Sequence, residues 1–462
     1  MNPKDFSAII LAAGRGTRMK SPLPKVLHPV AGVPMIKKVI DAVKGAGCTE
    51  VRIVVGYGEN LVRKVVEPLG ARCFVQTQQL GTADAVKSAD PQSLDGPVLI
   101  LNGDHPLLVA SDLSEIWREF RDSGAAVAVV SAVLKRPGQF GRIVRQGDQL
   151  RAIVEAADAS RETLQIQEVN TGIYLAKPDV IKKYLPQIQN HNSKQEFYLT
   201  DLIGLCQEAG EKVVAIRATT RVAFGVNTQE ELAKASRLLF ARKRRELMQN
   251  GVLMVHPETV YIEEDVSVGA GSVIYPGVYL RGKTSVGSFT VIEPNVYIAN
   301  SQIAEGVVIK VGTYCEQAVI ATKATVGPYA HLRPGTELGA EAHIGNFVEL
   351  KKTKFGARSK AGHLTYLGDA TIGEDVNVGC GTITCNYATD KQKYRTVIGD
   401  RVFIGSDTQF VAPIEIGDDA VIGSGSTLTK NVPARALAVA RGRQVIKENY
   451  VRSPDKPPAD EE

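Results

Sequence analysis

Ile398-Gly-Asp-Arg-Val-Phe, Ile404-Gly-Ser-Asp-Thr-Gln, Phe410-Val-Ala-Pro-Ile-Glu, Ile416-Gly-Asp-Asp-Ala-Val, Ile422-Gly-Ser-Gly-Ser-Thr are five consecutive six-residue units, each opening on an apolar side chain. A period of six is neither that of a helix nor that of an ordinary strand. It is the period of a parallel β-helix, in which each unit supplies one short strand and one turn, and the apolar residue points inward. It then stacks on its counterpart one full coil away. Working backwards, the same register runs through Val326, Leu332, Leu338, Ile344 and Leu350, and earlier through Val268, Ile274, Leu280, Val286, Ile292 and Ile298. The 43 glycines fit this turn-rich plan, because glycine and asparagine tolerate the backbone angles of a corner.

Upstream of residue 251 the period disappears. Gln229 to Met248 holds neither glycine nor proline and stops at Asn250-Gly251, which predicts a helical arm over residues 229–250. Its basic run Arg242 to Arg245 reads as a solvated helix face. Before the arm, short apolar runs at Ala8 to Leu11, Val51 to Val55, Val98 to Leu101 and Ala125 to Val133 alternate with helical patterns such as Met35 to Lys44 and Asp112 to Arg121. That alternation predicts a mainly parallel sheet covered by helices on both faces. The expected division is therefore 1–228 for an α/β domain, 229–250 for the arm and 251–462 for a β-helix with a flexible tail. The Pro-rich, charged stretch Ser453 to Glu462 reads as a disordered tail.

Bulk properties exclude several classes. A net charge of +5 over 462 residues does not call for nucleic acid. No apolar run approaches the roughly 20 residues of a membrane helix. Phe6 to Ala13 runs directly into Gly14-Arg15-Gly16, so it reads as a buried strand and not a signal peptide. Six scattered cysteines, with no C-x-x-C pair, suit a reducing, cytoplasmic setting.

The first strand leads into Leu11-Ala12-Ala13-Gly14-Arg15-Gly16-Thr17-Arg18-Met19, followed by Pro24-Lys25-Val26-Leu27. A Gly-rich loop after a strand lets backbone N–H groups close on phosphate oxygens, and Arg18 and Lys25 can offset the charge. It is not a Walker A motif, since no G-K-[ST] follows. Nor is it a dinucleotide fingerprint, since Met19 stands in the third glycine's place. The whole string resembles the sugar-nucleotidyltransferase family. The resemblance continues through Gln76, Gln79-Leu80-Gly81-Thr82-Ala83, Asn102-Gly103-Asp104, Phe140-Gly141-Arg142-Ile143, Ile153-Val154-Glu155, Asn170-Thr171-Gly172 and Gly225-Val226-Asn227. It implies a Rossmann-like nucleotidyltransferase fold. It also implies that Leu11 to Gly14, Gln76, Gly81 and Thr82 hold the uridine and phosphates of UTP, and that Asp104 and Asn227 bind Mg²⁺. Gly141, Glu155 and Asn170 are implied to hold an N-acetyl sugar, with Asn102 at a sugar contact where some relatives carry tyrosine.

In the β-helix the informative stretches are those the repeat does not require. They are His331-Leu-Arg-Pro-Gly-Thr, Gly345-Asn-Phe-Val-Glu-Leu-Lys-Lys, Ser359-Lys-Ala-Gly-His-Leu-Thr-Tyr-Leu-Gly-Asp and Gly381-Thr-Ile-Thr-Cys-Asn-Tyr. With the first half, they resemble the bifunctional N-acetylglucosamine-1-phosphate uridylyltransferase / glucosamine-1-phosphate acetyltransferase family over almost the whole chain. The resemblance implies a left-handed β-helix, a homotrimer and a role in cell-wall precursor synthesis. It implies His363 as general base, with Glu349 orienting it, and Arg333 and Lys351 on the sugar phosphate. Tyr366, Asn377, Asn386 and Tyr387 complete the pocket, and Cys380, Ser406, Ser424 and Arg441 face acetyl-CoA. Cys380 and Ser424 stand where alanine is common; Cys380 is expected to act through its backbone N–H. The implied partners are small molecules: glucosamine-1-phosphate, N-acetylglucosamine-1-phosphate, acetyl-CoA and UTP. Two other readings compete: a pyrophosphorylase with a non-catalytic β-helix, and a non-enzymatic scaffold docking through Arg242 to Arg245.

Overall fold

The computed structural model describes residues 6–192 and 194–448; the tail reading for Ser453 to Glu462 lies outside them. The chain divides into two compact units, Met1–Lys243 and Arg244–Glu462.

In the first unit the main path of a nine-stranded sheet runs Val213–Arg217, Val127–Val133, Glu168–Ala176, Val98–Asn102, Phe6–Ala12, Cys48–Val55, Arg72–Val75. Phe6–Ala12 is parallel to both its neighbours. Its side chains alternate between two cores: Ala8, Ile10 and Ala12 join one, Ile9 the other. A strand buried on both faces reads as a continuous apolar run, which is why the sequence shows it clearly. The sheet is mixed, however. Glu168–Ala176 runs antiparallel to both Val98–Asn102 and Val127–Val133, and a hairpin of Arg142–Gln146 with Gln149–Val154 attaches to its edge. The chain moves from Phe6–Ala12 first to one side and then to the other, so a crevice opens beyond its carboxyl end.

The helix Gln229–Gln249 spans the arm. Within the first unit, its Ala235 and Leu239 join a small core with Met19, Val30, Met35, Leu107 and Val226. Within the second, Leu247 joins the β-helix core.

The second unit is a left-handed β-helix of three parallel sheets with 11, 10 and 9 strands. Ile274 pairs with Ile292, and Ile292 with Ile309, so each coil is three units long. The breaks in the six-residue register are five-residue units, as from Ile298 to Ile303 and from Leu350 to Phe355, and the inward stack continues through them. One coil is longer. Ile372 pairs with Ile398, and the extra residues form a loop in which Tyr387 bridges Lys393. Corners adopt left-handed backbone angles, but not only at glycine and asparagine as the sequence suggests. Phe289, Tyr329, Phe347 and Leu364 have φ of 55°, 52°, 56° and 45°. That conformation costs a non-glycine residue roughly 1–2 kcal/mol, which the hydrogen-bonded coils above and below over-determine.

Candidate functional sites

The crevice beyond Phe6–Ala12 holds two adjoining clefts. One is lined by Leu11, Ala12, Ala13, Gly14, Lys25, Gln76, Gly81, Thr82, Asn102 and Asp104. The other is lined by Gly141, Glu155, Asn170 and Asn227, and shares Leu11, Thr82, Asn102, Asp104 and Glu196 with the first. Gly14 faces open space, so its backbone is free to approach a ligand. At Gly81, with φ of 125°, a Cβ would sit 2.6 Å from the Phe197 carbonyl oxygen. Gln76 is fixed by donating to Asp84 Oδ2 at 2.8 Å and to the Gly81 carbonyl at 3.2 Å.

At the centre, Lys25 Nζ donates to Asp104 Oδ2 and, at 3.1 Å, to Asn227 Oδ1. Burial disfavours charge on Asp104, yet the Lys25 ammonium holds its carboxyl below the usual range. The other carboxylate oxygen, Oδ1, is buried without a hydrogen-bond partner. A cation therefore already bridges two hard oxygen donors, and one acceptor is left over. This donor set fits a hard divalent ion that keeps water and phosphate in its remaining positions. Among the described residues no cluster of three or more His, Cys, Asp or Glu side chains could hold a metal by itself.

On the adjoining side, burial pushes the Glu155 carboxyl above its ordinary range. Asn170 donates to Tyr174 Oη at 2.7 Å. Gly172, with φ of 78°, leaves room for Asn102, whose Nδ2 would lie 2.7 Å from an added Cβ. Arg18 is placed elsewhere: it lines a neighbouring cleft with Lys135, Arg136, Lys234 and Asn227. His105, Glu196 and Tyr198 also line the second cleft and were not singled out from sequence. Glu196 and Tyr198 sit in a stretch without motif spacing. His105 directly follows Asp104 and was legible only as a neighbour of the motif.

In the second unit the named residues fall on two neighbouring corners of the β-helix, at either end of the strand Tyr366–Gly368. His363 ends the strand Lys360–His363, and Tyr366 opens Tyr366–Gly368 on the next sheet, with Leu364 turning the corner between. Below it the coils stack in register. Gly381 N–H donates to the Leu364 carbonyl at 3.1 Å, Asp407 N–H to Cys380 at 2.7 Å, and Gly425 N–H to Ser406 at 2.8 Å. Arg441 Nη1 reaches the Ser424 carbonyl at 2.8 Å. His363, Cys380, Ser406, Ser424 and Arg441 thus descend one edge, a coil apart. Asn377 lies on the His363 sheet, beside Lys360.

On the neighbouring sheet, His331, Glu349 and Tyr366 stack in one column. Glu349 Oε1 accepts from Arg333 Nη1 at 2.8 Å, so its carboxylate is engaged by that guanidinium and not by His363. Lys393, from the extra loop, and Arg333 both press on Lys351, and they push its ammonium below lysine's ordinary range. Lys393 is a cation that sequence reading missed, because the loop carries it back only in three dimensions. Asn386 Nδ2 donates to Asp369 Oδ2 at 2.5 Å. Tyr387 is 63% exposed. Three cations one sheet away from an imidazole can hold a phosphate while the ring handles a proton.

Known protein families match stretches of both halves of the chain. Residues 8–171 match the MobA-like NTP transferase domain, 256–379 the GMPPB C-terminal domain, and 395–430 the bacterial transferase hexapeptide (six repeats). The chain is 65% identical over 445 residues to the bifunctional protein GlmU of Bdellovibrio bacteriovorus, covering 96% of this chain and 97% of that one. It is 48% identical to the bifunctional protein GlmU of Carboxydothermus hydrogenoformans, covering 97% and 100%.

Proposed function

The chain belongs to the bifunctional GlmU family and is a two-activity transferase, nucleotidyltransferase in its first half and acyltransferase in its second; from this premise we propose the two reactions and the residues that carry them. The β-helix of the second unit transfers acetyl from acetyl-CoA to the amine of glucosamine-1-phosphate. The α/β sheet domain of the first unit transfers uridylyl from UTP to the resulting N-acetylglucosamine-1-phosphate and releases pyrophosphate. The product, UDP-N-acetylglucosamine, feeds cell-wall precursor synthesis.

The observation that carries the reading is the edge of the β-helix, where His363, Cys380, Ser406, Ser424 and Arg441 descend a coil apart, with Arg333, Lys351 and Lys393 across the neighbouring sheet. A thioester cofactor is long and ends in phosphates, which suits a column of small and basic residues. The sugar's ammonium has no lone pair. His363 takes one proton from it, the freed amine attacks the thioester carbonyl as the C–S bond breaks, and the CoA thiolate leaves with the nitrogen's second proton as free thiol. Arg333, Lys351 and Lys393 hold the sugar phosphate so that the amine faces that carbon. At the other site, a sugar-phosphate oxygen forms a bond to the α-phosphorus while the bond to the β-phosphate breaks. Lys25 offsets charge between the two polyanions, and Gly141, Glu155 and Asn170 orient the sugar. Mg²⁺ held by Asp104 and Asn227 would supply a hard positive charge there.

A homotrimer suits the same edge. Tyr329, Phe347 and Leu364 are 52%, 57% and 60% exposed beside His363, and a second copy would cover them. All six cysteines are free, in keeping with a cytoplasmic location. Among the described residues no helix is long and apolar enough to cross a membrane.

The test is a coupled assay with glucosamine-1-phosphate, acetyl-CoA, UTP and Mg²⁺, following free thiol, pyrophosphate and UDP-N-acetylglucosamine. Pyrophosphate release from N-acetylglucosamine-1-phosphate without any thiol release would leave a pyrophosphorylase with a non-catalytic β-helix.

A further inference from the structure

We propose that His105 is the positioning residue of the candidate cation site, its Nε2–H held toward Asp104 Oδ1 so that Oδ2 faces the cation. The proposal rests on the reading of Asp104 and Asn227 as cation ligands.

His105 follows Asp104 at the end of Val98–Asn102, and the two residues are only 4% and 8% exposed. Its Nε2 lies 3.5 Å from Asp104 Oδ1. The two carboxylate oxygens therefore have different neighbours: Oδ2 meets the Lys25 ammonium and Oδ1 meets the imidazole. Both Oδ1 and His105 Nδ1 are buried without a hydrogen-bond partner. A neutral imidazole carries one N–H and one lone pair. Placing the proton on Nε2 gives Oδ1 its donor and leaves Nδ1 as the unpartnered acceptor. The Val222 backbone also lies within reach of the ring, but the opposite tautomer would set the Nε2 and Oδ1 lone pairs against each other. Closing the gap to an ordinary N–H···O length needs a shift of about half an ångström.

The surroundings are shaped for this ring. A Cβ on Gly225 would come within 3.1 Å of His105 Nε2, so a larger residue there would crowd it. Gly225 belongs to the segment that carries Asn227. That segment is pinned by Val226 N–H donating to the Asp104 carbonyl at 2.9 Å. His105, Asp104 and Asn227 are thus one packed unit. A donor behind a ligating carboxylate fixes which oxygen it offers, and loss of such a partner typically weakens metal binding about 10–100-fold.

The experiment uses the full chain and Mn²⁺ as the probe, with binding read by calorimetry and by electron paramagnetic resonance. His105→Leu removes the donor in a similar volume; His105→Gln restores an N–H near the Nε2 position. The expected result is Mn²⁺ affinity weakened about 10-fold in H105L and within about 3-fold of wild type in H105Q, with the denaturant midpoint of the first unit unchanged in both as a check on folding. The Mn²⁺ concentration for half-maximal uridylyl transfer should rise in H105L without a change in KM for the sugar phosphate. Wild-type affinity in H105L would overturn the proposal. So would a ¹⁴N coupling to Mn²⁺ in wild type that disappears in H105L, because the ring would then be a ligand itself. Failure of the wild-type chain to bind Mn²⁺ would reject the cation site as well as His105's part in it.

Discussion

Lys25 Nζ stands between Asp104 Oδ2 and Asn227 Oδ1, donating to both, the second at 3.1 Å. Residues from three distant parts of the chain therefore meet at one ammonium, and removing the carboxylate leaves Lys25 and Asn227 without their anchor. Asp104→Ala is expected to abolish pyrophosphate release, by about 10³-fold or more given the usual weight of such electrostatic anchors. Thiol release at the acetyl-transfer site should be unaffected. Equal loss of both activities in a folded protein would reject independent sites.

His363→Ala should reduce acetyl transfer by about 10²-fold or more while leaving uridylylation of supplied N-acetylglucosamine-1-phosphate near normal. The Arg333 guanidinium is paired with Glu349 and stays charged, so it offers no replacement base. Near wild-type thiol release in the folded variant would remove the assigned base.

Gly345 is where the coil geometry meets the chemistry. A Cβ there would fall 1.9 Å from the Gly362 carbonyl oxygen, one residue before His363. Gly345→Ala must push apart two coils that pair through Asn346 and His363. Acetyl transfer should fall at least 10-fold, on the rule that about 1 Å of misplacement can cost 10²-fold, while pyrophosphate release persists. Steady-state assays of both halves on one preparation would check it.

Glu168 gives a pH signature for the first unit. Burial alone would raise its carboxyl, but Arg145, Ser131 and Arg217 hold it down to about 2 from an ordinary 4.5. A depressed carboxyl contributes stability that is present above pH 4.5 and is lost as pH falls toward 2. Glu168→Gln should destabilise the first unit by about 2 kcal/mol at pH 7, the scale of a charged hydrogen bond. The gap from wild type should narrow below pH 4.5 and close as pH falls to about 2. Denaturant melts at a series of pH values would show it; a constant gap would contradict the assignment.

The arm makes a prediction about truncation. Ala235 and Leu239 are buried with Met19, next to the phosphate loop. A fragment ending at residue 243 should retain uridylyl transfer. One ending at 228 should unfold at lower denaturant, having lost two buried apolar side chains worth about 1–3 kcal/mol each. Coincident denaturant midpoints would show that the arm lends nothing to the first unit.

Much was determined by sequence alone. Because an inward side chain recurs once per six residues, the β-helix is written in the spacing of Ile398, Ile404, Phe410, Ile416 and Ile422, and no partner chain segment is needed to read it. The same holds for the first strand, whose burial on both faces leaves an unbroken apolar run, and for the arm, which lacks helix breakers. Local strings also marked the Gly-rich loop after the first strand and the residues around His363 that the proposed reactions use. What only the tertiary structure decided are relationships between residues far apart in the chain. The antiparallel direction of Glu168–Ala176 depends on its neighbours, since alternating apolar residues look alike in either direction. Glu349 is drawn to Arg333 because the coil sets them side by side. Arg18 falls into a cleft apart from Lys25, although both come from the same loop region. Lys393 returns to Lys351, and His105 faces Asp104 Oδ1, only after the backbone has folded. Charge and hydrogen bonding act over a few ångströms in space, and sequence spacing beyond one turn or one coil does not record those distances.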